Sequence, residues 1–232
     1  DNMLNGRFNF GISPGGLISD AELFGNLKKD RSSMFLEGIN TILKIWSTEA
    51  PYKIKGDYWD VTTENTLIED IGQGYMTRPL QRPHPPIIVT AVAPYSKGIS
   101  EAAARGWKPI SADIIMPNWV KTHWEKYIEG CKKGKLIPSK DDWRIAKTVF
   151  VADDLKKAKE YALGPNSPYV FYFKQLFKKF VALGKLELFK SYMNQPDSEI
   201  TLEKVCEELI IWGTPEKVFD DISSFRDQVG DF

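Results

Sequence analysis

The 232-residue chain is poor in the side chains that most directly mark chemistry, with two cysteines and two histidines. Cys131 and Cys206 lie far apart with no C-x-x-C or metal-ligand spacing around them. That pattern argues against a disulfide scaffold or a zinc site and points to reduced thiols in an intracellular, cytoplasmic protein. Charge of one sign is lacking too: Lys+Arg and Asp+Glu are each 31, so no net field favours nucleic acid or an anionic membrane. The basic pairs Lys28-Lys29, Lys132-Lys133 and Lys178-Lys179 are scattered, as on solvated helix faces. No apolar run approaches the roughly 20 residues that span a bilayer. Internal repeats, low-complexity tracts and linkers are missing, and no carboxylate pair or metal cluster stands out for catalysis. What is abundant is aromatic surface, 12% of residues with seven tryptophans, which suits a large core or a pocket for a flat ligand.

The regular pattern along the chain is strand followed by helix. Residues 7–12 read as a short strand, with Phe8, Phe10 and Ile12 alternating against Arg7, Asn9 and Gly11. Ser13 to Gly16 breaks the alternation, and Ser19-Asp20 offers a helix start for the segment from Ala21. Residues 31–46 carry Phe35, Ile39, Ile42 and Trp46 on one helical stripe. Residues 51–86 depart from the pattern: 55–61 reads as a hairpin, and four prolines between Pro79 and Pro86 hold the following connector extended. The continuous apolar run 87–92 predicts a strand covered on both faces. A helix over 96–105, a strand over 108–112, a helix over 119–133 and a strand over 144–152 follow. Asp153-Asp154 caps the next helix. Residues 166–193 read as helix in two pieces broken near Gly184, 209–212 as the last strand, and 216–229 as the last helix, with Thr214 at its cap and Pro215 at its first position. About five strands alternating with helices predict a parallel sheet with right-handed crossovers.

Two loops carry possible chemistry. Gly11-Ile12-Ser13-Pro14-Gly15 matches the G-x-S-x-G nucleophile elbow and follows a strand. The oxyanion hole of that motif needs the N–H after the serine, and Pro14 has none. Gly15-Gly16-Leu17 also prolongs the loop instead of opening a helix, and only His84 and His123 could serve as base, so a hydrolase is set aside. The loop is then either a structural turn or a small-residue surface that a flat ligand approaches. The second loop, Ala91-Val92-Ala93-Pro94-Tyr95-Ser96-Lys97-Gly98, again leaves a strand and opens a helix. Free N–H groups of the first helical turn, with the Ser96 hydroxyl, make a seat for a phosphate, although a serine at this place also reads as a plain N-cap. No P-loop or G-x-G-x-x-G fingerprint is present.

In order and spacing, GRFNFGISPGG, RPLQRPHPPIIV, AVAPYSKGISEAAARGW and IIWGTPEKV together resemble the bacterial luciferase-like flavin monooxygenases, in particular their limonene-monooxygenase-like and alkanal-monooxygenase branches. The resemblance implies an α/β fold of the TIM-barrel, (β/α)₈, type. The chain is expected to form one incomplete domain over residues 1–232, an internal fragment lacking the first three strands and the last. It implies FMN, reduced by a separate flavin reductase, and a flavin peroxide that places one oxygen atom of O2 into an apolar aldehyde, ketone or terpene-like substrate. It also implies a homodimer. By carry-over, Ser13 and Gly15 lie beside the flavin ring, Ala91 and Ala93 line its edge, and Tyr95 and Ser96 hold the phosphate. Met116, Trp119 and Phe173 are pocket-lining residues for an apolar substrate, with core packing as their alternative. A deazaflavin-dependent oxidoreductase of the same superfamily and a non-catalytic flavin-binding protein are the competing readings.

Overall fold

A computed structural model describes residues 1–232, and its contacts divide the chain into two compact units, Asp1–Ile88 and Val89–Phe232.

In the first unit, strand β1 (Phe10–Ile12) is shorter than its alternation suggests, because only its last three residues join a ladder. The Phe10 N–H donates to the Pro86 carbonyl at 2.8 Å. Two helices follow, α1 (Ile18–Leu23) and α2 (Arg31–Ser47). Helix α1 starts earlier than Ser19-Asp20 indicated, with Leu17 at its N-cap and no side-chain cap bond. Helix α2 is capped by Asp30, whose carboxylate accepts from the N–H groups of Ser32 and Ser33 at 3.0 and 3.1 Å. The expected hairpin is real: β2 (Lys53–Ile54) pairs antiparallel with β3 (Val61–Thr62). Its turn is pinned by Glu37 of α2, which accepts from the N–H groups of Asp57, Tyr58 and Trp59 at 2.9 to 3.0 Å. The proline-rich connector is tied back by Gln81, whose side chain donates to Asp1 at 3.0 Å and to the Phe8 carbonyl at 2.8 Å.

The second unit carries the strand–helix alternation. Strand β4 (Ile87–Ala91) runs into it, followed by α3 (Lys97–Ala104), β5 (Lys108–Ser111) and α4 (Pro117–Lys133). Strands β6 (Arg144–Ile145) and β7 (Thr148–Val151) come next, then α5 (Leu155–Leu163), α6 (Pro168–Ala182), α7 (Leu202–Leu209), β8 (Ile210–Gly213) and α8 (Pro215–Val229). The pairings β5–β6 and β7–β8 are both parallel, as the alternation required. Residues 144–152, read as one strand, are two: Arg144-Ile145 pairs with β5 while Thr148–Val151 pairs with β8. Helix α7 was not foreseen from the sequence, although Thr201 caps it by accepting from the Lys204 N–H at 3.3 Å. The break near Gly184 is as expected, with α6 ending at Ala182 and Gly184 taking a left-handed φ of 62°. Caps foreseen at Asp154 and Thr214 are made, at 2.7 Å to the Lys157 N–H and 3.4 Å to the Lys217 N–H.

Apolar clusters fill this unit. One joins Met116, Phe173, Phe180, Phe189, Val205 and Leu209, and another Ile115, Val120, Trp143, Phe225 and Val229. Helices α3 and α4 approach closely where Gly130 faces Ser100 and Ala103. Glu129 fastens the same junction, accepting from the Ser100 hydroxyl at 3.1 Å and pairing with Lys126 and Lys133 at 2.6 Å each. Those partners hold its carboxyl down at a pKa of about 2.

Candidate functional site

The loop between β4 and α3 is built with more constraint than a connection of this length needs. Tyr95 takes a left-handed backbone conformation, φ 52°, which is costly for a residue with a Cβ and persists only where neighbours impose it. Its N–H donates to the Thr122 hydroxyl at 3.1 Å, and that hydroxyl donates onward to the Trp119 carbonyl at 2.6 Å. Two residues earlier, the Ala93 carbonyl accepts from Nε2 of His123 at 2.8 Å. His123 is wholly buried, and its Nδ1 lies 2.8 Å from the Ser111 hydroxyl at the end of β5. Ser111 also accepts from the Trp143 indole N–H at 2.9 Å.

These distances allow one consistent proton arrangement. The indole donates to the serine oxygen, the serine hydroxyl donates to Nδ1, and Nε2–H donates to the carbonyl. The imidazole is therefore neutral, and burial pushes its pKa below the ordinary value, with the Ala93 carbonyl opposing that shift. A pH dependence follows. Above about 6.5 both folded and unfolded chains hold the ring neutral, and below it the unfolded chain takes a proton that the buried ring refuses. Stability is complete above that value and falls with pH down to the lowered folded pKa, by at most about 1.4 kcal/mol per pH unit. Urea midpoints at mildly acidic and neutral pH should show this difference in the wild type and lose it in His123→Gln.

Ser96 sits at the N-cap of α3, yet its side chain makes no capping bond, so the plain-cap reading does not describe its hydroxyl. The Lys97 and Gly98 N–H groups belong to the first turn and have no intrahelical acceptor. Around Gly98 the space is open, since an added Cβ would meet nothing nearer than the Ser96 Oγ at 3.6 Å. Ala91 is buried, Ala93 half-buried and Tyr95 exposed. A free hydroxyl, unpaired N–H groups and an approach without side chains thus occur together, which is the donor set a phosphate requires. Ala91, Ala93, Tyr95 and Ser96 are brought together here.

Ser13 and Gly15 are brought together in the first unit. The Gly15 N–H donates to the Ser13 hydroxyl at 3.3 Å, and Gly15 has a φ of 81° with nothing within 4 Å of where a Cβ would stand. They line a cavity of about 280 Å³ whose walls include Leu17, Phe24, Met34, Phe35 and Trp59. Met116 and Phe173 lie elsewhere, as fully buried side chains of one apolar cluster. Trp119 packs against that cluster and donates its indole N–H to the Lys190 carbonyl at 2.6 Å.

Three residues that shape the β4–α3 loop, Ser111, Thr122 and Trp143, carry no mark in the sequence reading, and His123 enters it only as a possible base. A signal for its place in the interior existed. His123 falls on the stripe Val120, His123, Tyr127, Cys131, all buried on α4, and a histidine on an apolar stripe must find partners inside.

Comparison with known proteins agrees with this architecture. The family model for luciferase-like monooxygenases matches residues 1–231. Among curated proteins, the chain is similar to 3,6-diketocamphane 1,6-monooxygenase of Pseudomonas putida, 24% identical over 247 residues, covering 98% of this chain and 64% of that protein. It is equally similar to 2,5-diketocamphane 1,2-monooxygenase 1 of the same organism, 24% identical over 238 residues with the same two coverages. Among solved structures, the oxygenating constituent of P. putida 3,6-diketocamphane monooxygenase, a type II Baeyer-Villiger monooxygenase in complex with FMN, matches with a TM-score of 0.82 at 24% identity. That match covers 100% of this chain and 64% of that one. An F420-dependent secondary alcohol dehydrogenase matches with a TM-score of 0.64 at 18% identity, over 97% of this chain and 62% of its own. The chain thus spans about 64% of the length of the curated relatives it matches. Its α/β fold is that of luciferase-like TIM barrels, and the chain belongs to the luciferase-like monooxygenase family.

Proposed function

We propose that this protein is an FMN-dependent monooxygenase, placing one oxygen atom of O2 into a small apolar carbonyl or terpene-like substrate with reduced FMN delivered by a separate reductase. The observation that carries the reading is the free Ser96 hydroxyl at the N-cap of α3, beside first-turn N–H groups that have no intrahelical acceptor. FMN bears one phosphate, and these donors suit it: Ser96 and the Lys97 and Gly98 N–H groups bind it, while the helix terminus favours its charge. Tyr95, held in its left-handed conformation, directs the chain into that first turn. Within the first unit, Ser13 and Gly15 form a turn with no side chain near where a Gly15 Cβ would stand, beside a cavity walled largely by apolar groups.

Bound flavin would supply the redox and oxygen chemistry. The protein's own residues then bind, orient and keep the site dry, which accords with a sequence that presents no acid–base pair. The names of the diketocamphane monooxygenases and the FMN in the matched structure favour this reading.

Fluorescence titration of FMN and riboflavin against the wild type and a Tyr95→Ala/Ser96→Ala variant tests it. The wild type should prefer FMN. The variant should lose about ten- to a hundredfold in FMN affinity, as for hydrogen bonds to a charged group, with riboflavin binding little changed. Equal affinity of the wild type for both flavins would refute a phosphate seat on this loop. A clear preference for a deazaflavin over FMN would favour the hydride-transferring alternative.

A further inference from the structure

The β4–α3 loop meets α4 at two adjacent side chains. His123 donates to the Ala93 carbonyl at 2.8 Å, and Thr122 accepts from the Tyr95 N–H at 3.1 Å. Both anchors are themselves anchored. The Thr122 hydroxyl is turned by its own bond to the Trp119 carbonyl, and the imidazole is oriented by Ser111, which Trp143 holds from the far side. Ser111 and His123 are wholly buried, Trp143 almost so, and Thr122 is buried as well. Their burial and mutual hydrogen bonds assign them to the support of the loop.

Fold stability alone does not call for this arrangement. A hydrophobic side chain at position 123 would fill the same space between α4 and the sheet without three polar groups that must all be satisfied. What the network does is hold one peptide carbonyl, two residues before a strained tyrosine and three before the N-cap serine. From this we infer that His123 and Thr122 are positioning residues, a two-point clamp that holds the loop 93–96 in the conformation that presents the Ser96 hydroxyl and the first N–H groups of α3 to a phosphate. The inference rests on the phosphate seat proposed above.

The physical sequence is short. With the Nε2 donor gone, the Ala93 carbonyl is left without its partner, and the peptide turns to find another. With the Thr122 oxygen gone, the Tyr95 N–H is freed, and Tyr95 relaxes from the left-handed region to an ordinary one. Either change re-aims Ser96, three residues or fewer along the chain, without removing a single ligand-binding group.

The readout is the ratio of FMN to riboflavin affinity, because a residue important only for folding lowers stability or both affinities together and leaves the ratio alone. His123→Leu, which keeps the bulk and removes the donor, should lower the ratio about tenfold. His123→Gln, whose carboxamide N–H reaches the place of Nε2, should restore most of it. Thr122→Val, which keeps the shape and removes the hydroxyl, is the second variant and should also lower the ratio, which keeps the test decisive if His123→Leu does not fold. A wild-type preference for FMN that survives undiminished in the folded variants overturns the clamp and leaves the phosphate seat standing. A wild type that binds both flavins equally overturns the seat and the clamp together.

Discussion

Trp143→Ala is expected to cost about 3–5 kcal/mol, the range for removing a large buried aromatic. Trp143 is 1% exposed, at the centre of a cluster with Ile115, Val120, Phe225 and Val229. Its ring stacks on Trp124 with centroids 5.8 Å apart, and the edge of Phe232 approaches at 6.1 Å. Truncation leaves a void that α4 and α8 cannot close, because both are held by their other contacts. It also removes the indole N–H from Ser111, the first link of the chain that ends at the Ala93 carbonyl. Trp143→Phe separates the two effects: most of the apolar volume remains, only the donor is lost, and the cost should be well under half as large. Urea unfolding followed by far-UV circular dichroism measures both. If Trp143→Ala destabilised the chain no more than Trp59→Ala, whose ring is 42% exposed, this account of the core would be wrong.

Gly130→Ala should also destabilise strongly, against the trend for helices. Alanine is favoured over glycine inside a helix by roughly 1 kcal/mol, so at an open position the change stabilises. On α4 a Cβ at position 130 would stand 2.3 Å from the Ser100 carbonyl oxygen and 2.6 Å from the Ala103 Cβ. Both belong to α3, and the first is backbone that cannot rotate aside. The helices must move apart, at an overpacking cost of about 1–3 kcal/mol or more, which outweighs the propensity gain. The Glu129–Ser100 bond and the Thr122 and His123 bonds to the loop leading into α3 depend on the same separation. Gly38→Ala on α2 is the comparison: its Cβ would meet the Trp59 ring at 3.5 Å, an ordinary contact, so a small gain is expected there. Thermal midpoints of opposite sign for the two variants are the predicted result. A Gly130→Ala chain as stable as the wild type would show that α3 and α4 tolerate a wider spacing.

The elements legible in the sequence were those whose signals are local. Asp154 and Thr214-Pro215 marked helix starts because a cap bonds to N–H groups only three residues away. The hairpin and the break at Gly184 were readable for the same reason: turn chemistry acts within a few residues. The run 144–152 misled because its division is set by partners remote in the chain, β5 for Arg144-Ile145 and β8 for Thr148–Val151. Met116 and Phe173 were ambiguous because an apolar side chain looks the same in a core as against a ligand, and burial in one cluster is where the structure puts them.

The candidate site divides along the same line. Sequence alone was enough to locate the loop 91–98, to mark it as the end of a strand and the start of a helix, and to single out Ser96, because those features lie in consecutive residues. Only tertiary structure decided that the Ser96 hydroxyl is left free, that Tyr95 is held left-handed, and that His123 is bonded to the Ala93 carbonyl. Hydrogen bonds between Ala93 and His123, or between Ser111 and Trp143, join groups 30 and 32 residues apart. No local pattern encodes such pairs; they form when the folding of α4 against the sheet brings buried polar groups within reach and leaves them no water to bond instead.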